Sequence, residues 1–150
     1  MRDVTTIKFA KLYDTATIPT GRAEDLGIDF YYINKGVYTI TLPPHEVIKV
    51  PTGIIMAMDN EYGMILKERS SLGSQGIALR AGVIDSGYRG EVTICLENTT
   101  SESIRVDVTK AIAQGILIPN PLKVIEEYTV DEIEAIDSER GSGGFGSTNK

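Results

Sequence analysis

The side chains best suited to chemistry collect at a few glycine-rich points of this sequence. The densest is 81–91, Ala-Gly-Val-Ile-Asp-Ser-Gly-Tyr-Arg-Gly-Glu. There a carboxylate (Asp85), a phenol (Tyr88) and a guanidinium (Arg89) share one bend. A bare turn needs Gly with Asp or Asn, but not Val-Ile ahead of the acid or Tyr-Arg behind it. The plain alternative makes Asp85 a turn former and Tyr88 a core residue. Arg69-Ser70-Ser71 is a second point: a cation, two hydroxyls and the amides opening a short helical turn can hold an anionic group. Its plain alternative is a helix cap. The third is the tail Arg140-Gly-Ser-Gly-Gly-Phe-Gly-Ser-Thr-Asn-Lys. Consecutive glycines let backbone N–H groups turn inward as an anion-holding nest, and Phe145 could stack on a flat base. A flexible linker would explain the glycines, but it has no use for one Arg and one Phe among them. The tail is not a Walker loop, since Lys does not follow Gly at the required spacing.

Short strands must position these groups. Alternating apolar residues predict strands over 4–12, 26–30, 37–42, 47–50, 54–58, 64–66, 92–97, 104–108 and 112–118, separated by turn residues such as Pro43-Pro44 and Pro51-Thr52-Gly53. Many short strands at close spacing mean an all-β sandwich or barrel. Residues 81–91 read as strand, tight turn, strand. One helical turn is expected over Arg69–Gln75, and Val130, Ile133 and Ile136 leave a second open. Asp29 sits between apolar neighbours on a strand and needs a charged or hydrogen-bonded partner unless it lies on an exposed face. Gln114, the odd polar residue in an apolar run, must meet a partner or a ligand.

With 150 residues, 24% of them charged and 41% hydrophobic, the chain is one globular domain. A net charge of −6 argues against a nucleic-acid polymer as partner. A small anion needs only a local cation, for which Arg69, Arg89 and Arg140 are the candidates. The single Cys95 excludes an internal disulfide framework and suits a reducing compartment. The first residues do not read as a signal peptide, and no apolar run approaches the roughly 20 residues of a membrane helix. The expected compartment is the cytoplasm, with no membrane partner. Between 126 and 139 lie seven acids and no base. The expected organisation is therefore a domain over 1–128, an acidic linker over 129–139 and a mobile arm over 140–150.

The 81–91 stretch resembles the third motif of the trimeric dUTPase family. Four others resemble its remaining motifs in order: Asp25-Leu-Gly-Ile-Asp-Phe30, Arg69-Ser-Ser-Leu-Gly73, Ala111-Ile-Ala-Gln114 and Arg140 to Thr148. The resemblance implies a distorted jelly roll with at most one short helix and a flexible Gly-rich tail. It also implies a homotrimer with each active site between subunits. The implied reaction is hydrolysis of dUTP to dUMP and pyrophosphate, which keeps uracil out of DNA. Asp85 would be the general base, orienting water at the α-phosphorus. Mg²⁺ would be held mostly by phosphates and water, with Asp29 supporting its water shell or an Arg. By the same resemblance Arg69, Ser70, Ser71 and Gln114 serve the phosphates, and backbone groups of Gly82, Val83 and Ile84 pair with the uracil edge. Tyr88 would lie under the deoxyribose and exclude a 2′-hydroxyl. Phe145 would cover the base while Arg140, Gly146, Ser147 and Thr148 close over the terminal phosphate.

Thr109-Lys110-Ala111 departs from the usual fourth motif, and the stretch Leu79-Arg80-Ala81 lacks an Asn that some relatives carry. The rival on the same scaffold is a dCTP deaminase, whose proton-shuttling Glu would fall at Cys95. A second alternative is a regulatory protein acting through a partner, as phage members of the family do.

Overall fold

The strand over 92–97 shows how the chain is built: Val92, Ile94 and Leu96 are buried while Thr93, Cys95 and Glu97 face outward, the period-two alternation of a half-buried strand. The computed structural model describes residues 4–146. In chain order these form β1 (Lys8–Lys11), β2 (Gly27–Tyr31), β3 (Thr39–Leu42), β4 (Val47–Pro51), β5 (Ile54–Ala57) and β6 (Tyr62–Lys67). Helix α1 (Ser70–Gly73) follows, then β7 (Ile77–Arg80), β8 (Val83–Ile84), β9 (Thr93–Asn98), β10 (Ile104–Asp107), β11 (Ala111–Pro119) and α2 (Val130–Glu134). The fold is the expected distorted jelly roll, with two short helices among the described residues where at most one was expected.

Four antiparallel sheets make up the body: β2-β11-β6-β8, β4-β9-β7, β1-β5 and β10-β3. Phe30, Leu42, Met64, Ile77, Ile94, Leu96 and Ile112 fill the space between them. The long strand β11 is central to the first sheet, pairing with β2 on one side and β6 on the other. It carries Gly115 where a Cβ would stand 2.8 Å from the Phe30 ring and against Met64. A side chain there would force the sheet off its packing partner.

Two expectations are corrected. The strands flanking Asp85 do not pair as a hairpin: β8 joins β6 in one sheet, while β9 joins β4 and β7 in another. Ile84 and Val92 are buried at either end of the bend, so burial on both sides draws the two strands into different sheets. Strand β7 was not anticipated, because four residues with one fully buried side chain, Ile77, carry no alternation to read.

Burial stops after β11. Every residue from 121 to 142 is exposed, including Leu122, Val124, Ile125 and the α2 positions Val130 and Ile133. Helix α2 lies in the expected acidic linker. Thr129 caps it, accepting from the Glu132 N–H while the Glu132 carboxylate accepts from the Thr129 N–H, a capping box.

Candidate active site

Most of the expected site residues line two clefts of the one chain, while Val83, Ile84 and Asp85 also border a further cleft of about 230 Å³ on the side of Tyr62 and Lys123. The larger, about 880 Å³, lies between the 20–27 loop, the start of α1 and Gln114 of β11. That is the size of a small-molecule pocket. Here Asp29 Oδ1 meets Arg69 Nε at 3.2 Å, both side chains about a third exposed. The contact follows from the strand order, since Asp29 pairs with Gln114 on β11 and Gln114 pairs with Lys67 on β6, two residues before Arg69. A carboxylate on the Nε edge of a guanidinium leaves its Nη1 edge free to bind an anion.

Ser70 and Ser71 are exposed in the first turn of α1, and both line this cleft. They do not cap the helix: the N-cap is Arg69, and it makes no side-chain cap bond. Their hydroxyls are therefore not spent on an N-cap. Gln114 is fixed from the backbone, its Nε2 donating to the Glu68 carbonyl at 3.0 Å.

The second cleft, about 180 Å³, is walled by Gly82, Val83 and Ile84 on one side and Tyr88 and Glu91 on the other, with Asp85 between. Asp85 is exposed, and its carbonyl accepts from the Tyr88 N–H at 3.1 Å, closing the turn. The Tyr88 hydroxyl donates to the Glu91 carbonyl at 3.1 Å, so the ring lies back along the bend. Gly90 makes room for it, because a Cβ there would come within 2.9 Å of the ring. Gly82 has φ +95°, a conformation that favours glycine, and its carbonyl accepts from the Leu66 N–H at 2.7 Å. Val83 is exposed beside it while Ile84 is buried.

Arg89, counted in the sequence as a possible anion ligand, is committed elsewhere. Its Nη1 donates to the carbonyls of Ser86 at 2.7 Å and Tyr88 at 2.9 Å. It therefore laces the turn that presents Asp85. Nearby, Glu91 accepts from the Gly53 N–H at 2.7 Å and the Thr52 hydroxyl donates to the Val92 carbonyl at 2.6 Å, fixing the exit of the bend to β5.

Arg140 lies far along the exposed tail, its Nε donating to the Gly143 carbonyl at 2.7 Å. Phe145 is wholly exposed, and it and Gly146 have positive φ values of 50° and 91°. Ser147 and Thr148 lie outside the described residues. The chain thus brings Asp29, Arg69, Ser70, Ser71 and Gln114 together, and separately Gly82 to Asp85 with Tyr88; it joins neither group to Arg140 or Phe145.

Two groups escaped the sequence reading. Arg22 and Asp25 form a two-pronged ion pair on the rim of the larger cleft, with Nε–Oδ2 3.1 Å and Nη2–Oδ1 3.0 Å. These bonds hold the Asp25 carboxyl below the usual carboxylate range. Arg-x-x-Asp spacing was the available signal. Glu68 is the other: its Oε2 accepts from the Leu79 N–H at 3.3 Å and its Oε1 meets Lys67 at 3.3 Å. No spacing in the sequence announces that contact.

Among the described residues no three His, Cys, Asp or Glu side chains come together as a metal site. No helix among them is long and apolar enough to cross a membrane.

A family model described as dUTPase matches residues 14–149. The chain is 35% identical over 147 residues to the deoxyuridine 5'-triphosphate nucleotidohydrolase of Clostridioides difficile, covering 95% of this chain and 96% of that protein. It is 39% identical over 147 residues to the mitochondrial enzyme of that name from Homo sapiens, covering 96% of this chain but 55% of that protein. Among solved structures, the dUTPase of Staphylococcus bacteriophage 80alpha with dUpNHpp superposes with a TM-score of 0.75 at 24% identity, over 97% of this chain and 99% of that one. The native EIAV dUTPase superposes with a TM-score of 0.69 at 21% identity, over 84% and 98%. By its sequence over nearly its whole length, and by a fold shared with solved members, this chain belongs to the dUTPase family.

Proposed function

We propose that the chain hydrolyses dUTP to dUMP and pyrophosphate at sites built between three copies of itself. The observation that carries this reading is the division of the motif residues. The anion-holding group (Arg69, Ser70, Ser71, Gln114) and the acid-bearing bend (Asp85, Tyr88) occupy different clefts of one chain. Each cleft alone is half a site, and a second copy supplies the other half. The exposed segment 121–142, with its unburied Leu122, Val124, Ile125, Val130 and Ile133, is apolar surface that a neighbouring copy would cover. It would carry Arg140, Phe145 and the residues beyond to a third site.

In that assembly Asp85 takes the proton of a water attacking the α-phosphorus in line, and pyrophosphate leaves. Arg69 neutralises the phosphate chain, held in place by Asp29 on its Nε edge. Ser70, Ser71 and Gln114 add donors around it, and Arg140, Gly146, Ser147 and Thr148 close over the terminal phosphate. Backbone groups of Gly82, Val83 and Ile84 read the uracil edge. Missing hydrogen bonds at such a polar site discriminate by about four orders of magnitude or more. Tyr88, tied back to Glu91, leaves no space for a 2′-hydroxyl.

The donor set suits a divalent ion that arrives on the phosphates rather than one caged by protein. Among the described residues no three acidic, His or Cys side chains converge to hold a metal, and Asp29 has one oxygen on Arg69. Its other oxygen can accept from a water bound to Mg²⁺. The ion's contribution is to offset phosphate charge. A structural Mg(II) ion is described for the dUTPase of phage phi11.

Deamination on the same scaffold is not favoured. Cys95, where that reading needs a proton-shuttling Glu, lies on β9 between Lys49 and Arg80 and does not line the Asp85 cleft. The phage 80alpha dUTPases control transfer of virulence genes. A regulatory partner of that kind is the second reading for this chain, and no feature of the described residues favours it over hydrolysis alone. The single Cys95 suits a cytoplasmic setting.

The test is pyrophosphate release from dUTP, dCTP, dTTP and UTP by the parent protein and by Asp85→Asn. Cleavage of dUTP alone is expected, with Asp85→Asn slower by about two to four orders of magnitude. Turnover by Asp85→Asn at the parent rate would show the mechanism wrong.

A further inference from the structure

We infer that Arg22 is a second phosphate-binding guanidinium of the larger cleft, held ready by Asp25 as Arg69 is held by Asp29. The inference rests on the reading of this cleft as the phosphate side of the site.

The two pairs are built alike. Asp29 meets Arg69 through Nε at 3.2 Å, and Asp25 meets Arg22 through Nε at 3.1 Å and Nη2 at 3.0 Å. In both, the carboxylate takes the Nε side of the planar group and leaves the Nη1 N–H groups unspent. Both arginines line the same cavity as Ser70, Ser71 and Gln114. The Asp25 carboxylate also accepts from the Arg22 backbone N–H at 3.0 Å, so the acid fixes both the loop and the side chain it carries.

The charge balance of the cavity makes each guanidinium count. The cavity lining carries Arg22 and Arg69 against Glu24, Asp25 and Asp29. A triphosphate entering there meets more carboxylates than cations, and losing one guanidinium would leave Arg69 alone against all three. The Arg22 side chain is 88% exposed, and an ion pair that open to water adds little to stability. Its geometry instead suits orientation of the guanidinium, because a pre-aligned fork loses less freedom when it binds a phosphate.

The experiment measures steady-state kinetics of dUTP hydrolysis with Arg22→Ala, Arg22→Lys and Asp25→Asn, and inhibition by inorganic pyrophosphate and by dUMP, all with Mg²⁺. Arg22→Ala is expected to raise KM for dUTP about fivefold and to lower kcat by less. Inhibition by pyrophosphate should weaken by a similar factor while inhibition by dUMP stays put. Arg22→Lys should recover part of the loss, and Asp25→Asn should fall between. Unchanged KM and pyrophosphate inhibition in Arg22→Ala would overturn the inference. So would an equal weakening toward dUMP, which would mark a collapsed loop rather than a lost phosphate contact. A parent protein that leaves dUTP intact would instead sink the hydrolase reading. Calorimetric binding of inorganic pyrophosphate to the parent and to Arg22→Ala would then still decide the role of Arg22.

Discussion

Gly27 on β2 faces Gln114 on β11 so closely that a Cβ at position 27 would stand 3.0 Å from the Gln114 Cβ and collide with its amide oxygen. The glycine is the space that the Gln114 side chain occupies on its way to the Glu68 carbonyl. Gly27→Ala should therefore fold but displace Gln114, costing about 1–2 kcal/mol in urea denaturation. KM for dUTP should rise with it. Adding Gln114→Ala should cost less than the sum of the two single changes, because the clash disappears with the amide.

Arg89 should behave as a lace and not as a ligand. With two turn carbonyls on its Nη1, Arg89→Ala loosens the bend that aims Asp85. We expect kcat to fall about tenfold with KM little changed, since in the proposed mechanism the group lost positions Asp85 and does not contact the phosphates. Arg89→Lys should restore the rate only in part, because the shorter, more strongly hydrated ammonium holds the two carbonyls less rigidly. A rise in KM alone would show that Arg89 binds the anion after all.

Glu68 gives the fold an acid-sensitive contact. Its own backbone N–H, then that of Leu79, then Lys67 hold the carboxyl below its ordinary 4.5, with burial opposing them. The folded value lies under the unfolded one, so the stabilisation is complete above about 4.5 and is lost as pH falls through the lower folded value. Glu68→Gln should melt earlier than the parent at neutral pH. The gap between the two should narrow as pH falls below the ordinary 4.5, and a gap that stayed constant would refute the assignment.

Two truncations separate the tail's roles. A protein ending at Glu139 keeps the exposed apolar segment and should remain trimeric with little dUTP turnover. One ending at Asn120 loses Leu122, Val124, Ile125 and α2 and should fall to smaller species by light scattering. A trimer that survived the shorter truncation would show that this segment does not join the copies.

Much of this was readable in the chain itself. Period-two alternation marks β9 because one face of that strand is buried and the other wet, and β3 and β10 declare themselves the same way. The bend at Asp85 and the Arg69-Ser70-Ser71 turn were located by residue type, since glycine, acid and cation are rare together without a task. What residue type could not convey was partnership. Strands β8 and β9 flank one turn yet enter different sheets, because pairing is chosen by the residues each strand buries and not by its neighbour in sequence. Arg89 looked equal to Arg69 until their partners were known, turn carbonyls for the one and the Asp29 carboxylate for the other. Arg22 and Glu68 matter only through groups that the fold sets beside them, Arg22 through its cleft and Glu68 through Leu79. Residue types thus set which chemistry was available, while contacts between distant segments decided which side chains were spent on structure and which were left facing a ligand.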